Sequence, residues 1–145
     1  MLTKSSKYSI RAVLFLASKE KTDRFSAKEI AEILKIPAPF LAKTLQELVR
    51  KTIISSIKGP NGGFFLTDKD REKSIFDIIK CTDDINKFDN CFLGQNECND
   101  ENPCVVHHLY SPFKVKLIKK LKTKTITEMS EEYLRDNKSL KKIWM

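Results

Sequence analysis

A mainly α (α+β) fold, with helices around one small core and a single β-hairpin, is predicted by three observations. Three stretches in about the first 50 residues carry apolar side chains at helical spacing. The turn "KGPNGG" then separates two runs of β-branched and aromatic residues. Serine or threonine stands three residues before an acid at Ser26/Glu29, Ser74/Asp77 and Thr125/Glu128, the spacing that caps a helix start.

The first helix is expected over about residues 5–19. Tyr8, Ala12, Phe15 and Leu16 form its apolar stripe, widened by Val13 and Leu14. The second opens at Ser26 and runs through Ile30, Ile33 and Leu34. "KIPAPF" breaks it, because proline disfavours helix in the residue before it. Pro39 suits the first turn of a third helix, about 39–51, which buries Leu41, Leu45, Leu48 and Val49. The other face of that helix shows Ala42, Lys43, Gln46 and Arg50. Two short helices, a tight turn and a small, polar outer face make the pattern of a helix-turn-helix.

The hairpin follows directly. Ile53, Ile54 and Ile57 favour one strand, and Phe64, Phe65 and Leu66 the other. A hairpin after a recognition-type helix makes a winged helix-turn-helix. Lys58 at the wing base and the bare amides of Gly62 and Gly63 are expected to approach a phosphate or enter a minor groove. A helix capped by Ser74 packs Ile75, Phe76, Ile78 and Ile79 on this domain. Cys81 on the same helix reads as a small buried hydrophobe outside any site.

Composition then changes. From Asp83 to Cys104 there are six acids and one lysine; from Lys114 to Lys124 there are six lysines and no acid. The first stretch is a loop by its Asn, Asp, Gly and Pro content. The second is a helix with Phe113, Leu117, Ile118 and Leu121 on one face. Pro112 marks its start, or a kink if the helix begins earlier, near Cys104. A short helix with Ile126, Met129 and Leu134 follows, then a polar tail expected to be partly disordered. The boundaries are 1–82 for the winged domain, 83–104 for the cysteine loop, 105–135 for a dimerisation helix with the short last helix, and 136–145 for the tail.

The 145 residues carry a net charge of +8, with a pI of about 9.3, which points to an acidic partner, nucleic acid first. No run approaches a membrane span, and the N-terminal stretch lacks a signal-peptide cleavage site. A cytoplasmic location is expected, where thiols stay reduced, and that argues against a disulfide knot. No nucleophile–base pair or phosphate loop suggests an enzyme.

Three of four cysteines and both histidines fall in "CFLGQNECNDENPCVVHH". Structural zinc sites usually bring cysteines in pairs two to four residues apart. Here the gaps are six and five residues, which suits a larger iron–sulfur cluster. Zinc, or redox thiols without metal, stay open on these residues alone. His107 or His108 could complete the set, one turn beyond Cys104. Glu97, Asp100 and Glu101 read as a solvated acidic loop.

"LTKSSKYSIRAVLFLA", then "SAKEIAEILKIPAPFLAKTLQELVRKTIISSIKGPNGGFFL", then Cys-x6-Cys-x5-Cys-x2-His, resemble the IscR/NsrR-type winged-helix transcription regulators of bacteria. The resemblance runs from residue 1 to about residue 134. It implies a homodimer held by the long helix after the cysteines and bound to palindromic double-stranded DNA. It also implies a cluster in the cysteine loop, although some members lack the cysteines and sense otherwise. By position, Cys91, Cys98, Cys104 and His107 match the ligands of the branch that binds a 2Fe–2S cluster. The first gap is six residues here, against five in the family's regulator of cluster assembly. Some nitric-oxide-sensing members take a carboxylate from the first helix; here that place holds Tyr8 and no acid, which favours His107.

The expected function is a sequence-specific regulator, a repressor, whose operator binding answers iron, oxygen, redox state or nitric oxide through the cluster. The alternative is a metal-free or zinc-binding regulator of the same fold that answers a partner enzyme or small effector. A 4Fe–4S cluster is a further option for the cofactor. Pro39, Ala42, Lys43 and Gln46 are placed near bases, where lysine donates to guanine and glutamine pairs with adenine. Lys58, Asn61, Gly62 and Gly63 of the wing meet the minor groove or backbone. Lys4, Lys7, Arg50 and Lys51 are candidates for phosphates.

Overall fold

The computed structural model describes residues 2–136. The first helix, α1 (Lys4–Ala17), starts where the Thr3 hydroxyl accepts the Ser6 amide at 3.2 Å. It buries Ala12, Val13, Phe15 and Leu16. The second, α2 (Ala27–Leu34), begins at the predicted box: the Glu29 amide donates to Ser26 at 3.1 Å, and the Ser26 amide to Glu29 at 2.7 Å. It ends at Lys35, whose φ of 55° turns the chain toward the third helix. Ile30, Ala31 and Leu34 are buried, whereas Ile33 faces outward. The third, α3 (Ala38–Arg50), carries Pro39 in its first turn and buries Leu41, Thr44, Leu45 and Leu48.

Two three-residue strands follow, β1 (Ser55–Ile57) and β2 (Gly63–Phe65), antiparallel with Ser56 opposite Phe64. Ile53 and Ile54 precede β1 instead of lying in it. Both are buried in the helical core, so this apolar run plugs the wing's base. Phe25, just before α2, bridges Phe64 on the hairpin's other edge, with N–H to O distances of 3.2 and 2.7 Å. The wing is thereby tied to the helix-turn-helix.

A single helical turn, α4 (Asp68–Arg71), is capped by a reciprocal Thr67–Asp70 pair. The next helix, α5 (Ile75–Thr82), starts at the predicted Ser74–Asp77 pair. Ile75, Ile78 and Ile79 enter the core against α1 and α3. A short 3-10 helix (Ile85–Asp89) anchors the next segment through buried Phe88, whose ring lies 6.4 Å from that of Phe76.

The long helix, α6 (His107–Thr123), begins three residues after Cys104, so Pro112 lies inside it. None of its residues is fully buried. Ile118 and Leu121 lean on the core beside α5, but Phe113, expected on the same face, is 57% exposed. The last helix, α7 (Ile126–Asp136), is capped by Thr125 and Glu128 and returns onto α1. Ile126 is wholly buried in the winged-domain core, and its amide donates to the Lys73 carbonyl at 2.7 Å. Apart from Asp136 at the end of α7, the expected tail lies outside the described residues.

Candidate metal centre and nucleic-acid interface

The cysteine-bearing part of the loop hangs between two anchors, buried Phe88 near the loop's start and α6 after it. Tight turns fold it inward. The Gly94 amide closes on the Cys91 carbonyl at 3.0 Å, and the Leu93 amide points at Cys91 Sγ from 3.4 Å. Asn99 Oδ1 accepts the amides of Glu101 and Asn102 at 2.9 and 2.8 Å, making a second turn. The ring of Phe92 packs 5.2 Å from that of Tyr110 and holds the first turn against α6.

These turns bring the Sγ atoms of Cys91, Cys98 and Cys104 within 4.8 Å of one another. Cys91 and Cys104 are 3.6 Å apart. His107, the first residue of α6, sets Nδ1 3.3 Å from Cys98 Sγ. Its Nε2 lies 2.8 Å from Asp100 Oδ1, on the side away from the thiols. His108 is exposed, edge-on to the His107 ring. Of the two histidines, the structure therefore brings His107 to Cys98, although not into the trio of donors that lie within 4.8 Å of one another. Cys81 sits on α5, half-buried against the core, where burial pushes its thiol up.

Sulfur donors carry perturbed acidities here. Hydrogen bonding from the Gln95 amide, helped by Leu93, lowers the Cys91 thiol to about 7. The Cys104 amide pulls Cys98 the same way, but burial and the neighbouring thiols of Cys104 and Cys91 outweigh it and raise Cys98. The donor set fits a soft or borderline metal. Two sulfurs on one tetrahedral metal with bonds of about 2.3 Å lie about 3.8 Å apart, close to the Cys91–Cys104 separation. A groove of about 590 Å³ between the loop and α6 opens Cys98 and His107 to solvent, with Lys114 and Lys122 on its far wall.

On the outer face of α3, Pro39, Lys43, Gln46 and Arg50 are exposed and Ala42 is half-buried. Arg50 is paired with Glu47. Lys51 Nζ donates to the Cys81 carbonyl at 3.0 Å and lies 3.5 Å from Glu47. Tyr8 meets Phe40 edge-on at 5.6 Å, which sets the part of α1 bearing exposed Lys4 and Lys7 beside the start of α3. Lys58 and Asn61 are exposed at the wing tip. A groove of about 430 Å³ separates α3 from the wing, lined by Gln46, Val49, Ser56 and Lys58.

The wing glycines also shape the hairpin itself. The Gly62 amide is not bare: it donates to the Gly59 carbonyl at 3.0 Å. A β-carbon at Gly62 would lie 2.0 Å from the Ile57 carbonyl oxygen. At Gly63, with φ of 146°, it would meet the Phe25 backbone at 2.8 Å. Both glycines are required for hairpin closure. The contact of Asp100 with His107 is also new, and no local sequence signal marks it among three loop acids.

Comparisons with known proteins bear on the family and the fold. A family model described as "Rrf2: Iron-dependent Transcriptional regulator" matches residues 2–132. A putative HTH-type transcriptional regulator of Aquifex aeolicus is 36% identical over 126 residues, which cover 85% of this chain and 86% of that protein. The HTH-type transcriptional regulator NsrR of Shouchella clausii is 33% identical over 106 residues, 73% of this chain and 68% of that one. Among solved structures, CymR, the global cysteine regulator of B. subtilis, superposes with a TM-score of 0.71 at 18% identity, over 91% of this chain and 97% of that one. IscR of T. potens gives 0.67 at 20% identity, over 94% and 90%. At these identities the two structures speak for the winged-helix fold. Among the described residues, no helix is long and apolar enough to cross a membrane.

Proposed function

The chain belongs to the Rrf2 family of transcriptional regulators, and from that premise we propose that it reads its operator under the control of an iron–sulfur cluster held by Cys91, Cys98, Cys104 and His107. It is a DNA-binding regulator and not an enzyme. The observation that carries the sensing proposal is the convergence of three thiols within 4.8 Å, with His107 Nδ1 3.3 Å from Cys98. A bound cluster, 2Fe–2S in this reading, supplies a redox couple whose potential a histidine ligand raises, and a target for oxygen or nitric oxide.

The chain's own residues do the rest. Cys91, its thiol lowered to about 7 by the amides that donate to it, offers a thiolate near neutral pH. His107 couples the loop to α6, because it is that helix's first residue. Asp83 couples the loop's start to α1: its carboxylate accepts the Thr3 amide at 2.8 Å and the Ser6 hydroxyl at 3.1 Å. A change in the loop would therefore reach both the reading domain and the long helix.

In the dimer, α6 of each protomer meets its partner. Leu109 and Phe113, one turn apart, are 78% and 57% exposed, which suits burial between two copies. Each α3 enters a major groove, with Pro39, Ala42, Lys43 and Gln46 at base edges. Lys58 and Asn61 of the wing approach the minor groove, with Gly62 and Gly63 shaping that tip. Lys4, Lys7 and Arg50 meet phosphates; Lys51 joins them only by leaving the Cys81 carbonyl. Two-fold symmetry sets half-sites about one turn, or a multiple of it, apart. The regulator acts as a repressor, and the signal is iron, oxygen, redox state or nitric oxide.

A second reading has one observation in its favour. The Cys91–Cys104 separation also suits a single zinc ion, which would make the loop structural. An absorption spectrum of anaerobically purified protein, with metal analysis, separates the two. Visible absorption bands that vanish in Cys91→Ala and persist in Cys81→Ala are expected. A colourless preparation with one zinc per chain would overturn the cluster.

A further inference from the structure

We infer that Asp100 is a positioning residue: it holds His107 in the tautomer protonated on Nε2 and thereby aims the Nδ1 lone pair at the metal between the cysteines. The inference rests on the reading of Cys91, Cys98, Cys104 and His107 as ligands, and it adds which nitrogen binds and what fixes it.

Three observations carry it. First, the two ring nitrogens face different chemistry. Nδ1 is 3.3 Å from Cys98 Sγ, and Nε2 is 2.8 Å from Asp100 Oδ1. A carboxylate only accepts, so the neutral imidazole must keep its proton on Nε2 to make that bond. Nδ1 is then left with its lone pair toward Cys98, available to a metal once that thiol loses its proton. A metal-bound histidine commonly donates its other N–H in this way, and the bond fixes both ring orientation and basicity.

Second, Asp100 is presented by a built turn. Asn99 Oδ1 accepts the amides of Glu101 and Asn102, the Asn99 amide donates to the Asn102 carbonyl at 3.2 Å, and Asn102 Nδ2 reaches the Glu97 carbonyl at 3.4 Å. These bonds flank Asp100 on both sides and set it over the imidazole edge. Third, the neighbouring acids do not share the contact. The acid within hydrogen-bond distance of His107 Nε2 is Asp100, and no such contact is made by Glu97 or Glu101. Asp100 is itself 93% exposed beyond that bond, so the core does not need it.

The test uses the full-length protein. In the metal-free form at about pH 8, where imidazole is neutral, long-range proton–nitrogen NMR reads the tautomer directly. His107 should be the Nε2–H form in wild type and in Asp100→Asn, whose amide oxygen still accepts, and a mixture in Asp100→Ala. An anaerobic titration with cobalt(II) then reads the metal site. Affinity should fall about tenfold in Asp100→Ala, the lower end for loss of such a partner because this one is exposed. Asp100→Asn should restore most of it, and Glu101→Ala should leave it unchanged. Wild-type tautomer and cobalt affinity in Asp100→Ala would overturn the inference while leaving the ligand set intact. Wild-type protein that binds cobalt without thiolate-to-cobalt charge transfer would overturn the ligand set itself, and the inference with it.

Discussion

Asp83 shows how one side chain can serve two parts of the molecule. Its side chain is 2% exposed and accepts the Thr3 amide, the Ser6 hydroxyl and Lys87 Nζ, the last at 2.7 Å. Burial opposes its charge, but Lys87 and the amides of Thr3 and Asp84 prevail and hold the carboxyl well below the usual carboxylate range. Asp83→Asn should destabilise the fold by about 2 kcal/mol at neutral pH, the order expected for hydrogen bonds to a charged acceptor. A carboxyl depressed in the folded state stabilises fully above its unfolded value of about 4, and the contribution is lost as pH falls below that. Denaturant melts of the two proteins should therefore converge in acid; a constant gap down to about pH 3 would contradict this. Its tie to α1 is not legible in the sequence, because Thr3 and Ser6 lie about 80 positions away. The opposite holds for Cys81, whose place on an apolar helix face already marks it as a packing residue. The two adjacent histidines, told apart in the sequence only by the family resemblance, separate physically through the contact of His107 with Cys98.

Among the elements, the helix starts are the most legible, since a capping box is local chemistry. The pairs at Ser26, Ser74 and Thr125 all close as their spacing predicts. The single turn of α4 escapes notice because four residues cannot show an apolar stripe. Ile53 and Ile54 mislead because an apolar run looks the same whether it pairs in a strand or plugs a core. The wing's glycines are legible as a turn, but their purpose needs the register. Gly62→Ala should damage the hairpin, since its β-carbon would overlap the Ile57 carbonyl. We expect a stability loss of about 1–3 kcal/mol, as for other forced overpacking, and weaker DNA binding. Lys58→Ala should leave stability unchanged and lower the salt dependence of DNA binding by about one charge. Equal stability of Gly62→Ala and wild type in thermal melts would show that the hairpin is not closed as described.

At the scale of the whole molecule, the helices of the reading domain form the core, and the cysteine loop leaves it after α5 and rejoins it through α6. That helix carries Leu109 and Phe113 in solvent. Charge patterning announces this division, with an acidic loop followed by a lysine-rich helix, but not the return of α7, whose buried Ile126 ties the chain's end to the winged domain. Phe113→Glu should convert a dimer into a folded monomer by light scattering, with its helical content kept; a dimer that persists would place the interface elsewhere. The central claim is that ligands on the loop set the grip of α3 on DNA. It is tested most directly by anaerobic equilibrium binding to an operator selected from random DNA, comparing cluster-loaded protein with the same sample after chelator treatment. We predict affinities that differ by about tenfold, within the range of ordinary coupling between two sites, and a Cys91→Ala protein that behaves like the stripped form. Equal affinity of loaded and stripped protein would contradict the account.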